Sequence, residues 1–238
     1  VLDTVVRNAG PIERAAQQIL SGVVPPTIAE EAPWAVVDSF KEPEAIRSYL
    51  RDLVLDMIPR HLGYDPVRDV QIVTPVHKGP LGTKSVNDMM QYLIHGDVRG
   101  RFAIGDKVIQ TVNDYQLGVM NGHQGTVLDI GKEGITVDFD GEGPKTIEQE
   151  KQGSLQLAYA LTAHKAQGSE FPCVVVLCHK SHFFADRNWL YTAVTRAAKH
   201  VIVLGDRWGL RNAAKKNDVR TRRTRLSLGA SPAAAMDQ

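Results

Sequence analysis

The sequence predicts an α/β protein interrupted by a small all-β insertion. Three observations carry this expectation. After Gly153, apolar strand-like runs alternate with helical ones; amphipathic helical stretches fill much of the N-terminal part; and residues 101–153 shift to short alternating runs broken by glycine. Alternation of strands and helices favours a parallel sheet with right-handed crossovers. Short strands with glycine turns at this spacing favour a small β-barrel.

Each element follows from its local pattern. Residues 11–20 read as a helix with proline at its start and Ile12, Ala15, Ala16 and Ile19 on one face, ended by Ser21-Gly22 and Pro25-Pro26. Residues 34–37 form a short strand. Over 42–58, Ile46, Leu50, Leu53, Val54 and Met57 recur at helical spacing, with Pro59 and Gly63 closing the helix. Residues 70–74 are a strand, and 85–92 a helix that buries Val86 and Met90. Inside the insertion, 125–130 and 135–139 flank a Gly131-Lys-Glu-Gly134 hairpin turn. Asp138 and Asp140 bracket Phe139 before a glycine and read as a hairpin end, not as a magnesium-holding pair. Then come a strand (156–160), a helix from about Ala163, a strand (173–178), a helix (186–197), a strand (200–204) and a helix (207–215). The stretch 216–238 is expected to be a disordered basic tail, because it has few apolar anchors.

Composition excludes extremes. The chain has 238 residues, 43% of them hydrophobic and 23% charged, with a formal net charge of +1. That balance is ordinary for a globular protein and gives no strong bulk attraction to nucleic acid. Charge is uneven, however: between Arg207 and Arg225 Asp218 is the single acid among many arginines and lysines. Cys173 and Cys178 lie on opposite faces of one apolar run, too far apart to bridge, and read as buried small hydrophobes in a reducing compartment. No transmembrane run or secretory pattern is present, so a cytoplasmic location and no membrane partner are expected. His179, His182, His123 and Cys178 lack a metal-ligand spacing, and no metal site is expected.

The chemistry concentrates in Leu161-Thr-Ala-His-Lys-Ala-Gln-Gly-Ser-Glu-Phe171 and Leu190-Tyr-Thr-Ala-Val-Thr-Arg-Ala197. Both place polar residues where strands give way to turns or helices, and in open α/β sheets strand ends are where ligands bind. Two such segments point to a nucleotide or nucleic-acid site.

These segments resemble motifs V and VI of superfamily-one helicases of the RecD-like branch. Val73-Thr-Pro-Val-His-Lys-Gly-Pro-Leu-Gly82 with Asn87 is similar to the family's motif IV region. Gly105-Asp-Lys-Val-Ile-Gln-Thr-Val-Asn-Asp114 and Gly118-Val-Met-Asn-Gly122 resemble the opening of its SH3-like insertion, and Val5-Val-Arg-Asn8 a short arginine-bearing motif. The matches run in the family's order over most of residues 1–210. The resemblance implies a RecA-like parallel sheet flanked by helices over 1–100 and 154–215, of the P-loop NTPase type, with an SH3-like β-barrel inserted at 101–153. No Gly-x-x-x-x-Gly-Lys-Ser/Thr occurs in the sequence. The chain thus resembles the second motor domain, is expected to be a piece of a longer protein, and is expected not to hydrolyse ATP alone.

Roles follow residue by residue from that resemblance. Arg196 would reach the γ-phosphate as an arginine finger, with Arg7 a second phosphate contact. Glu170 would bind the ATP sugar, with Gly168 permitting close approach. Thr162, His164, Lys165 and Gln167 would face single-stranded DNA, as would Thr74, Lys78, Gly79, Gly82 and Asn87; Asn121 is a further candidate. Ala166 stands where the family more usually has serine. Bland readings stand beside these: an arginine complementing a helix C-terminus, a solvated loop acid, an ordinary strand–turn–helix connection, a hairpin turn at Asn121-Gly122 and a solvated basic helix face. ATP and Mg2+ would bind jointly with an N-terminal RecA-like domain of the same protein. Single-stranded DNA and accessory repair or recombination proteins would be the partners, with 5′–3′ polarity. The rival functions are a DNA-binding or protein-interaction module without motor activity, and the helicase part of a conjugative relaxase.

Overall fold

The computed structural model describes residues 10–27 and 33–217. Arg7 and residues 218–238 of the basic tail lie outside the described residues. The chain runs α1 (Pro11–Leu20), β1 (Trp34–Val37), α2 (Pro43–Asp52), a π-helical turn (Leu53–Met57), α3 (Ile58–Leu62), β2 (Val70–Val73) and α4 (Thr83–His95). It continues with β3 (Lys107–Gln110), β4 (Gln124–Ile130), β5 (Gly134–Phe139), β6 (Gly143–Glu148), a 3-10 turn and β7 (Leu155–Leu157). Then follow β8 (Ala160–Leu161), β9 (Phe171–Cys178), α5 (Arg187–Val194), β10 (Ala197–Gly205) and α6 (Arg207–Lys215).

Two five-stranded sheets result. The first has order β1-β10-β9-β2-β8 with every pair parallel. Its central strands are apolar on both sides, as burial beneath two helical layers requires. On one face, α1, α5 and α6 pack Ile12, Ile19, Leu190, Leu210 and Ala213 against Val174, Val176 and Val203. On the other, α2, α3 and α4 pack Ile46, Leu50, Ile58, Val86 and Met90 against Ile72, Val175 and Leu177. Cys173 and Cys178 are buried and unbridged, one in each layer. Among the described residues no helix is long and apolar enough to cross a membrane.

The second sheet is antiparallel, of order β6-β5-β4-β3-β7, with its own core of Phe102, Val108, Val127, Val137, Phe139 and Ile147. Its order is linear, with β6 and β7 as edges, so strand pairing does not close it into a ring. The Gly131–Gly134 turn is a hairpin, closed by the Gly131 amide on the Gly134 carbonyl at 2.9 Å.

Several expectations are corrected. Pro59 does not end its helix: the Ile58 amide reaches back to the Leu53 carbonyl, a π-type bond, and Pro59 then opens α3, where a missing N–H is tolerated. Gly63, at φ +69°, is the true stop. The run 156–160 is not one strand. Leu155–Leu157 pairs antiparallel with β3, the chain crosses at Ala158-Tyr159, and Ala160–Leu161 pairs parallel with β2. No helix begins at Ala163; residues 163–168 form tight turns, with Gln167 bonded to His164 and Ser169 to Ala166. Leu161 lies beside Val73, which faces Val176, so the chain travels back roughly 17 Å through these turns to start β9 at Phe171.

Candidate functional site

The 161–171 segment starts at the C-terminal end of β8 and ends at the N-terminal end of β9. Ala163 and Ala166 anchor its middle in the α1/α5 layer and are both buried. His164, Gln167, Gly168 and Glu170 are exposed along its outer side. Burial of Ala166 settles one concern: that position faces the core, so a serine's hydroxyl is not missing from the outer surface. Gly168 holds φ +90°, and a Cβ there would meet nothing within 4 Å, so conformation and not crowding calls for glycine. Thr162 is buried, its hydroxyl facing the Lys165 amide at 3.5 Å. The Lys165 ammonium donates to Gln156 Oε1 of β7 at 2.8 Å, and partial burial lowers its pKa.

Arg196 lies in the turn between α5 and β10, beyond the helix that was expected to contain it. Asp186 caps that helix through the Trp189 amide at 2.8 Å. Arg196 is half-buried; its Nε donates to the Thr192 carbonyl at 3.2 Å, and its Nη2 lies 3.4 Å from Thr195 Oγ1. The Phe171 amide donates to the Arg196 carbonyl at 2.9 Å, and Ala197 sits opposite Phe171 in the sheet. Glu170 and Arg196 are therefore backbone neighbours at the N-terminal edge of β9 and β10. This differs from the expected strand C-termini, where Thr74 and Thr162 lie.

The motif IV-like residues divide into two groups. Thr74 is fully buried, and its Oγ1 donates to the Leu81 carbonyl at 2.7 Å. Asn87 is buried too: Nδ2 donates to the Ala160 carbonyl at 3.0 Å and the Leu157 carbonyl at 3.2 Å, and Oδ1 accepts from the Ala160 amide at 2.8 Å. Both side chains are spent holding β8 and the loop, so they do not present a surface to a ligand. Lys78 and Gly79 are exposed and, with His77, Lys84, Ser85 and Asp88, line a shallow hollow at the start of α4. Gly82 is required by crowding, since a Cβ would come 2.6 Å from the Lys78 carbonyl oxygen. The loop carbonyls of Val76 and His77 already accept from the Thr83 and Lys84 amides, which takes up part of the helix N-terminus. Asn121 is exposed in a turn; its amide donates to Asn113 Oδ1 at 2.8 Å, and Gly122 holds φ +100°.

Sequence reasoning assigned no role to Lys107, Asp106 or Tyr159. Lys107 is 6% exposed, and Asp106 is fully buried. Asp106 accepts from Tyr159 at 2.7 Å, from Gln91 at 2.6 Å and from the Ala103 amide at 2.6 Å, tying the antiparallel sheet to α4. An Asp-Lys pair directly before an apolar strand was the signal available. At the opposite edge His182 is buried, and desolvation, reinforced by His179, lowers its pKa to about 4.

Several known proteins are similar to this chain. The UvrD-like helicase C-terminal domain matches residues 157–204, the span that holds β8, β9, α5 and most of β10. The ATP-dependent RecD2 DNA helicase of Deinococcus radiodurans is 44% identical over 135 residues, covering 54% of this chain and 19% of that protein. The RecBCD enzyme subunit RecD of Mycobacterium tuberculosis is 36% identical over 126 residues, covering 52% of this chain and 22% of that protein. The chain thus spans about a fifth of the length of these relatives. A Bacteroides Pif1 helicase, solved with ADP-AlF3 and single-stranded DNA, superposes with a TM-score of 0.59 at 19% identity, over 96% of this chain and 57% of that one; at that identity the likeness speaks for the fold. Over about half its length the chain is thus similar to RecD-type DNA helicases, and residues 157–204 match the UvrD-like helicase C-terminal domain.

Proposed function

We propose that this chain is the C-terminal motor half of an ATP-dependent 5′–3′ DNA helicase. In this reading 1–100 and 154–215 form a RecA-like domain, and the antiparallel sheet is its SH3-like insertion of 101–153, extended by β7. The observation that carries it is the Phe171–Arg196 backbone bond, which makes Glu170 and Arg196 backbone neighbours at one sheet edge. A nucleotide fits that donor set. Glu170 can accept from ribose hydroxyls, Gly168 leaves open space beside it, and Arg196 offers a fixed, permanently charged fork to a phosphoryl group. Arg7, outside the described residues, would add a second phosphate contact. Mg2+ would neutralise phosphate charge, held by the phosphates and by acidic groups of a preceding P-loop domain. The exposed His164 and Gln167, the half-buried Lys165, the Lys78-Gly79 loop and Asn121 would contact single-stranded DNA. Closing the cleft against the preceding domain would bring Arg196 onto the transferring phosphoryl, where it stabilises developing charge.

The test is ATP hydrolysis by the full-length protein with and without single-stranded DNA, wild type beside Arg196→Ala. DNA-stimulated hydrolysis that falls ~10³–10⁵-fold in the variant, with nucleotide binding retained, supports the motor reading. Equal rates in the two proteins would leave a DNA-binding or protein-interaction module as the better account.

A further inference from the structure

Lysine is seldom buried, because its ammonium loses hydration that few contacts replace. Lys107 of β3 is buried nonetheless. Its Nζ donates to the Val70 carbonyl at 3.1 Å and lies 5.0 Å from the centre of the Phe171 ring. Among the described residues it makes no ion pair; Asp140, Asp69 and Asp65 act on it at longer range. One side chain of the antiparallel sheet thus spans to the first residues of β2 and β9 in the parallel sheet. An apolar residue would join two layers at lower cost, and replacing buried charges with packed apolar groups is often neutral or stabilising. What lysine adds is direction: a donor aimed at one carbonyl and a cation set against one ring.

We propose that Lys107 is a positioning residue for hydrolysis, fixing Phe171 and, through the Phe171 amide, the backbone of Arg196. The proposal rests on the reading of Arg196 as a phosphate contact. Phe171 is the residue between Glu170 and the rest of β9, and its amide holds the Arg196 carbonyl. The antiparallel sheet grips the same segment a second time through Gln156 and Lys165. Any shift of that sheet therefore reaches the 162–170 segment twice, at Lys165 and beside Glu170 at Phe171. Misplacing a reacting group by about 1 Å can cost on the order of 10²-fold in rate, so the demand on Phe171 is tight.

The test uses the full-length protein with Lys107→Met, Arg196→Ala and the double variant. For Lys107→Met the expectation is a DNA-stimulated kcat lower by roughly 10- to 100-fold, with the KM for ATP, the affinity for single-stranded DNA and the thermal midpoint unchanged or, for the midpoint, higher. The double variant should lose little more than Arg196→Ala, because both act on one group. An unchanged kcat overturns the proposal, as does a kcat loss matched by a lower thermal midpoint, which marks a purely structural lysine. If Arg196→Ala leaves hydrolysis intact, the reading of Arg196 falls and this proposal with it. If Arg196→Ala abolishes hydrolysis while Lys107→Met does not, only the role of Lys107 falls.

Discussion

The Phe171 amide donates to the Arg196 carbonyl at 2.9 Å, and through that bond two motifs far apart in sequence share one sheet edge. Thr74 and Thr162 end β2 and β8 at the other edge, roughly 17 Å away along the strands. The 162–170 segment connects the two, with its polar side chains outward and its alanines in the core. A nucleotide at one edge and a nucleic-acid strand nearer the other would be mechanically joined by this single stretch of chain.

Asn87 and Lys78 separate structural from ligand-facing roles in the motif IV-like region. Asn87→Ala strips two buried hydrogen bonds from β8 and a part-buried one from β7 and should cost about 3 kcal/mol in denaturant unfolding, leaving the single-stranded DNA affinity of the folded protein unchanged. Lys78→Ala should leave stability alone, weaken DNA binding and reduce the slope of log K against log salt by about 0.7. Weak DNA binding by a fully stable Asn87→Ala protein would return that residue to the interface.

Local pattern made much of this fold legible. The buried face of α1 is the one its spacing names, and Cys173 and Cys178 fall in opposite layers as strand alternation requires. Failures came where a distant partner decides. Thr74 and Asn87 read as polar and available, yet the Leu81 carbonyl across the loop claims the first and the distant Ala160 carbonyl the second. The 155–161 run has one pattern but two partners, β3 and β2, and no local signal marks the crossing at Ala158. The 163–168 stretch reads as a helix start yet folds as consecutive tight turns. Nor does any local signal mark Gly205, where a Cβ would lie 1.7 Å from the Cys178 carbonyl oxygen. Glu170 and Arg196 were identified by motif, while their shared edge required the register of β9 and β10.

His182 makes stability fall in acid. Desolvation, with His179 adding to it and Asp206 opposing, lowers its pKa from an ordinary 6.5 to about 4. Its neutral ring accepts from the His179 amide at 3.3 Å. Between those values the unfolded chain binds the extra proton, so the contribution is intact above pH 6.5 and is lost as pH falls toward 4. Urea unfolding near pH 7 and near pH 4.5 should show the wild type losing about 2 kcal/mol more than His182→Asn, which keeps an acceptor without the titration. Parallel losses in the two proteins would refute this assignment.

Lys107 has an effect of the same sign at alkaline pH. Burial lowers its pKa from 10.5 to about 8, against the pull of Asp140, Asp69 and Asp65. Below about pH 8 it is charged in both states, and the full desolvation penalty weighs on the fold. Between there and 10.5 the unfolded chain holds a proton that the folded chain has released, so this residue makes stability rise with pH. The gain is on the order of 3 kcal/mol when complete. Lys107→Met removes the titration, so the difference in unfolding free energy between variant and wild type should shrink as pH rises from 7.5 to 10. A difference constant across that range would mean that the ammonium keeps its proton in the fold, with Asp140 and the Phe171 ring compensating it more fully than burial penalises it.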